Sequence, residues 1–128
     1  MNDSNKPVFG PYTPVRQSGN FYFVSGQVGV DMSTKTAPEG VAEQTHQVLA
    51  NLKKALQSVD LSLNDVIKTT IFVTDIADFG VVNEVYVTYF SEPRPARSTV
   101  GVKELPRVAG DTPIKIEIEA IACRPSAA

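Results

Sequence analysis

Cysteine is nearly absent from this 128-residue chain, and its scarcity removes two structural solutions. Cys123 stands alone, so no internal disulfide can form. With a single histidine, His46, beside it, a zinc site built from His and Cys has too few ligands, and any metal would need mostly carboxylates. No apolar run approaches the roughly 18 residues of a membrane-spanning helix. The polar start, Met1 to Lys6, is not followed by the apolar core of a secretory signal, so a soluble, cytosolic protein is expected. Surplus positive charge is missing too: 12 Lys and Arg against 14 Asp and Glu leave a formal net charge of −2. Nucleic-acid-binding domains usually carry a basic footprint, which makes RNA or DNA an unfavoured partner.

What is there suffices for one domain with a real core, spanning residues 1–128, with residues 1–8 polar and expected to fray. Phe9-Gly10-Pro11-Tyr12-Thr13-Pro14 is rich in turn formers, which fix the backbone around Tyr12. Val15-Arg16, a turn at residues 17–20 and the aromatic, β-branched run at 21–25 predict a hairpin. Gly26 and Gly29 in its continuation invite a bulge, or a close approach by ligand or backbone. Val41, Thr45, Val48, Leu52, Ala55 and Val59 recur at helical spacing and predict a helix over residues 40–59. Residues 66–74 read as a strand. Phe79, Val82, Tyr86 and Tyr89, with Val85 and Phe90 beside them, form the buried stripe of a second helix that Asp75 or Asp78 can cap. Two strands follow, at residues 96–102 and 114–120, separated by a loop that includes residues 106–113. The order β-β-α-β-α-β-β predicts an α+β sandwich, a mixed sheet with both helices on one face. Short chains commonly bury the other face against copies of themselves.

The residues able to do chemistry concentrate on the last two strands. Ala96, Ser98, Val100 and Val102 alternate with Arg97, Thr99 and Gly101, and Ile114, Ile116, Ile118 and Ala120 alternate with Lys115, Glu117 and Glu119. The apolar positions predict a common core, with Arg97, Thr99, Glu117 and Glu119 together on the uncovered face. If the strands are neighbours, Arg97 and Glu117 form either a structural ion pair or half of a small-molecule site. An arginine fork matches a carboxylate with two parallel hydrogen bonds. A carboxylate beside a substrate can orient and deprotonate water, help worth ~10²–10⁴-fold, or it can be an ordinary solvated strand residue. Glu119 shares the parity of Glu117, and pattern does not separate them. Tyr12 in its turn, and Ser25-Gly26-Gln27, which can offer backbone N–H groups to a ligand, form a third set that a turn and a bulge explain equally well. Asn83 lies beside the stripe of the second helix. His46 reads as a boundary residue and Cys123 as a small buried apolar one.

These residues carry a resemblance. Gly10-Pro11-Tyr12, Ser25-Gly26-Gln27, Lys68-Thr69-Thr70, Asp78-Phe79 with Val82-Asn83, Pro95-Ala96-Arg97-Ser98 and the Lys-Ile-Glu-Ile-Glu-Ala-Ile-Ala run at 115–122 stand in one order over nearly the whole chain. That order resembles the RidA (YjgF) family of imine deaminases, also described as endoribonuclease L-PSP. The resemblance implies a chorismate-mutase-like fold and a homotrimer with sites in the clefts between subunits. It implies hydrolysis of reactive enamines and imines, such as 2-aminoacrylate and 2-iminobutanoate, to 2-oxo acids and ammonia. On the matching positions it implies that Arg97 binds the substrate carboxylate and that Glu117 orients the attacking water. Tyr12 and the Ser25-Gly26 backbone would line the cleft, Asn83 would support it, and no metal or organic cofactor is needed. Thr99 stands where many relatives carry cysteine and others threonine; a backbone N–H contact there would survive. The 106–113 loop is longer than in compact bacterial members and would reshape the cleft mouth. A deaminase of a larger substrate such as 2-aminomuconate, an endoribonuclease or translation inhibitor, and a non-catalytic ligand-binding protein or holdase are the alternatives.

Overall fold

A hairpin opens the fold because Gly19, at φ +60°, supplies the left-handed turn that closes β1 (Val15–Ser18) onto β2 (Phe21–Val28). The computed structural model describes residues 9–125; the frayed lead expected over residues 1–8 lies outside the described residues. After the hairpin come α1 (Val41–Gln57), β3 (Val66–Val73), α2 (Phe79–Tyr86), β4 (Ala96–Gly101) and β5 (Ile116–Cys123), the expected order. In space the sheet runs β1-β2-β5-β3-β4. Its ladders are antiparallel except for the parallel pair β3–β4. Because β5 pairs antiparallel with both β2 and β3, those two strands run the same way and need a crossover, which α1 provides. The α2 crossover joins β3 to β4 in the same manner.

The core lies between the sheet and both helices. Leu49, Leu52 and Leu56 of α1 and Val82 of α2 pack with Ile71 and Val73 of β3 and Ile116 and Ile118 of β5. Each side chain of this size contributes about 1.5–3 kcal/mol when fully buried. The helical stripe of α1 is as expected, and β5 alternates as expected, with Ile116, Ile118, Ala120 and Ala122 inward. Gln44 is buried without strain on the polar ledger. Its amide donates to the carbonyls of Pro38 and Pro113 at 2.9 Å each and accepts from the Lys115 N–H at 2.8 Å, tying α1 to the entry of β5. Asp75 caps the short 3-10 turn Ile76–Asp78, its carboxylate accepting the Ala77 N–H at 3.0 Å; Asp78, which precedes α2, makes no side-chain cap.

Two features depart from simple alternation. Between Val24 and Gln27 the β2–β5 register shifts by a bulge at Ser25-Gly26. Tyr22 and Val24 face the helices, yet Val28 pairs with Glu117 on the opposite face, because a bulge inverts side-chain parity. The second departure corrects the expectation for β4. Arg97 and Thr99 pair in register with Thr69 and Ile71 of β3, whose side chains are buried under the helices. Ala96, Ser98 and Val100 are therefore the outward residues. The reversal is physically inexpensive on an edge strand: an arginine buries its methylene stem and keeps its charged head at the boundary.

The face away from the helices carries Phe21 and Phe23, 45% and 46% exposed, and Val100, 42% exposed, together with Glu117 and Glu119. Part of it is covered by the loop before β5, where Ala109 and Ile114 bury against Val28 and Val30 with Leu105 and Val108 alongside. No helix among the described residues is long and apolar enough to cross a membrane.

Candidate functional site

The structure divides the site residues expected from the sequence into two groups on opposite faces of the sheet. Tyr12, Ser25, Gly26 and Glu117 come together, with Glu119, around a cavity of about 440 Å³ whose apolar walls are Phe9, Val28, Pro106 and Val108. Arg97, Thr99 and Asn83 belong to the other group, under α2. The expected adjacency of Arg97 and Glu117 on one surface does not occur within a chain: β3 lies between their strands, so the strands are two spacings, about 9.5 Å, apart, and the two side chains leave opposite faces. Parity alone could not reveal this, because it does not say which of two alternating faces of an edge strand turns inward.

In the first group, Glu117 folds back over the bulge. A Cβ on Gly26 would collide with its carboxylate, so the glycine leaves the room the side chain occupies. Burial raises the Glu117 pKa above the ordinary carboxylate value, and the neighbouring Glu119 charge raises it further. Among the described residues no cation lies within 4.0 Å of it. The carboxyl is thus easier to protonate than a solvated glutamate. Structure separates the two candidates of equal parity: Glu117 is half-buried against Gly26 and Glu119 is exposed. The Ser25 hydroxyl donates to the Thr13 carbonyl at 2.6 Å, and its N–H donates to the Pro14 carbonyl, so that N–H is not left for a ligand as expected. These bonds hold the Tyr12 turn against the bulge. The Tyr12 hydroxyl accepts the Phe9 N–H at 3.3 Å and its ring remains 44% exposed at the cavity.

In the second group, the Arg97 guanidinium carbon lies 5.4 Å from the Phe79 ring centre and 4.9 Å from that of Tyr86. The Tyr86 hydroxyl shares a 2.7 Å hydrogen bond with buried Thr69. Burial raises the Tyr86 pKa, opposed by the Thr69 hydrogen bond and the Arg97 charge. The buried Asn83 Oδ1 and Thr99 Oγ1 have no hydrogen-bond partner among the described residues. Unsatisfied buried polar atoms are costly; Thr99 stands two residues from Arg97 on β4, and Asn83 lies between Phe79 and Tyr86 on α2.

Sequence reasoning treated Phe79 and Tyr86 only as core residues; the signal that distinguishes Phe79 is its 43% exposure beside Arg97, which periodicity does not carry. His46 lies elsewhere, its Nδ1 3.0 Å from the Tyr89 hydroxyl, and Cys123 is half-buried and free. Among the described residues no group of His, Cys, Asp or Glu is arranged to hold a metal ion.

Two helices on one face of a mixed five-stranded sheet, with a carboxylate at a bulge on the other face, define a chorismate-mutase-like α+β protein. Residues 3–124 match the family described as Endoribonuclease L-PSP, and the chain belongs to that family, the RidA/YjgF family of the sequence resemblance. It is 43% identical over 114 residues to the mouse 2-iminobutanoate/2-iminopropanoate deaminase, covering 88% of this chain and 81% of the mouse protein. It is 42% identical over 118 residues to the protein of the same name from Escherichia coli K12, covering 90% of this chain and 88% of that one. RidA from the Antarctic bacterium Psychrobacter superposes with a TM-score of 0.87 at 38% identity, covering 97% of both chains.

Proposed function

We propose that this protein is a cytosolic hydrolytic deaminase that converts small 2-imino and 2-enamino acids, of the 2-iminobutanoate and 2-aminoacrylate type, to 2-oxo acids and ammonia. The observation that carries this is the separation of a half-buried, cation-free Glu117 from a carboxylate-free Arg97 on opposite faces of one sheet, in a chain over 40% identical to proteins named for that activity. The two halves meet when copies of the chain assemble head to tail, so that the Glu117 cavity of one copy receives Arg97 from the next. A ring of three such contacts closes as a homotrimer with three sites. The exposed Phe21, Phe23 and Val100 supply apolar surface for that contact.

The chemistry asked of the site is modest. An imine carbon is already electrophilic. Arg97 binds the substrate carboxylate through its fork, with Asn83 and Thr99 offering the polar contacts they lack in the single chain. Tyr12, Ser25 and Gly26 line the cleft, and Glu117, ionised, takes a proton from a water held against the imine carbon. An enamine enters as its imine tautomer. Water adds to carbon as Glu117 passes the proton it has taken to the nitrogen. The carbinolamine hydroxyl then gives up its proton, through Glu117, to the nitrogen as the C–N bond breaks to leave the 2-oxo acid and ammonia. No step calls for a metal or an organic cofactor.

Two carboxylates facing the cavity disfavour a phosphate backbone, which sets the endoribonuclease alternative behind the deaminase. The same two carboxylates disfavour a second substrate carboxylate of the 2-aminomuconate kind. The test is to generate 2-iminobutanoate in situ with a threonine dehydratase and to follow its loss by semicarbazide trapping. The wild type speeds 2-oxobutanoate release. Glu117→Gln lowers kcat by ~10²–10⁴-fold while retaining ligand binding, and Arg97→Ala raises KM at least about tenfold. A wild type that leaves the rate of imine loss unchanged refutes the deaminase assignment.

A further inference from the structure

Arg97 is a guanidinium without an ionic partner. Among the described residues no carboxylate lies within 4.0 Å of it, and it stands half-buried on an edge strand. A long side chain in that state loses rotamer freedom when it binds an anion, and affinity falls by that cost unless the chain is held beforehand. Two rings do hold it. Phe79 and Tyr86 stand two helical turns apart on one face of α2, and both rings are within cation–π range of the guanidinium carbon, at 5.4 and 4.9 Å. The Tyr86 ring is itself fixed. Its hydroxyl is bonded to Thr69, the residue opposite Arg97 on β3, and its face lies 4.6 Å from Phe90, centre to centre.

Ring faces differ from carboxylates in one respect that matters here. An aspartate beside Arg97 would occupy its donors and compete with a bound acid. A ring attracts the cation through its quadrupole and leaves the N–H groups unused. We propose that Phe79 and Tyr86 are positioning residues for Arg97: their ring faces hold its guanidinium in place and leave its donor fork free for the carboxylate of a bound imino or 2-oxo acid. This deepens, and rests on, the assignment of Arg97 as the carboxylate ligand. It also accounts for Phe79, whose ring is 43% exposed and contributes little to the core.

The experiment compares wild type, Phe79→Leu, Tyr86→Leu, Tyr86→Phe and Arg97→Ala by two readouts. One is imine hydrolysis, as kcat and KM. The other is the Kd of 2-oxobutanoate by calorimetry, which does not depend on turnover. Each leucine variant raises both KM and Kd about three- to tenfold and leaves kcat within about twofold, because a carboxylate contact is made equally in ground and transition states. Tyr86→Phe loses the Thr69 hydrogen bond and some melting temperature, but it keeps the ring face and the Phe90 contact, so KM and Kd stay within about threefold of wild type. A ring with a merely structural role gives the opposite split, a lower kcat and melting temperature with KM and Kd unchanged, and that result overturns the proposal. So does a folded pair of leucine variants that bind 2-oxobutanoate as wild type does, or an Arg97→Ala variant that still binds it. If Tyr86→Leu fails to fold, Phe79→Leu decides. If wild type binds 2-oxobutanoate through Arg97 but hydrolyses no imine, the deaminase assignment fails and the ring variants still decide the positioning role by Kd.

Discussion

Glu117 is held where folding and chemistry make opposite demands. Its carboxyl sits over Gly26 with Glu119 beside it, and both burial and that neighbour favour the protonated form. The proposed hydrolysis needs the ionised form. The folded chain therefore binds a proton at Glu117 more tightly than the unfolded chain does. Stability declines as pH rises from the ordinary glutamate range through the raised pKa, and the full cost is present above it. Glu117→Gln is expected to raise the melting temperature at pH 7, with the advantage shrinking toward pH 4, where both states of the wild type hold the proton. For activity, Glu119→Gln removes the neighbouring negative charge, so the acid limb of kcat/KM moves to lower pH. A pH–rate profile of that variant with an unshifted limb would show that Glu119 does not act on Glu117. At the same scale, Gly26→Ala places a Cβ in the space of the Glu117 carboxylate. It should lower kcat well beyond its effect on urea unfolding. The glycine was legible in the sequence as a bulge or a close approach, and it is both.

At the scale of elements, what was legible depended on how many neighbours constrain a strand or helix. The apolar stripe of α1 and the isoleucine alternation of β5 were read correctly because both elements are buried along their length: α1 covers the sheet, and β5 lies between β2 and β3. β4 is an edge strand under the short helix α2, and neither of its faces is fully buried, so its alternation carried no sign. The informative residue was on the partner strand: Thr69, polar yet fully buried, shows that the helix side of β3 accepts polar groups at the level of Arg97. Periodicity also missed Gln44, which looks like a helix-surface residue and is a satisfied buried amide joining α1 to the Pro113–Lys115 approach to β5. Gln44→Leu strands two carbonyls and one N–H and should cost about 3 kcal/mol in denaturant unfolding. Because Glu117 follows Lys115 by two residues, activity should fall in the fraction that remains folded. A loss below about 0.5 kcal/mol would mean that water replaces the amide.

For the molecule as a whole, the family resemblance carried more than composition could. Length, charge and the single cysteine bounded the class; the ordered motifs gave the family, which the match over residues 3–124 shows. The division of the site into two faces was in neither, since it depends on the register of β3 against β4 and β5. That division makes a prediction for mixed assemblies. Glu117→Gln subunits retain Arg97, and Arg97→Ala subunits retain Glu117. Unfolded together in equal amounts and refolded, the two inactive proteins should recover about a quarter of wild-type activity, because one intersubunit contact in four joins the two intact halves. Recovery near zero would mean that each site is built within one chain.

The opposed faces also set a rule for dilution. No rotation of side chains within one copy brings the Arg97 fork to the Glu117 cavity, since a hydrogen-bonded sheet stands between them. Under the proposed assembly a solitary chain is a folded but idle protein, and turnover begins only as copies find one another. Below the concentration at which the proposed ring forms, specific activity should fall steeply with dilution, toward the square of protein concentration, and not stay constant. A freshly made chain would thus remain chemically silent until its own abundance switched it on.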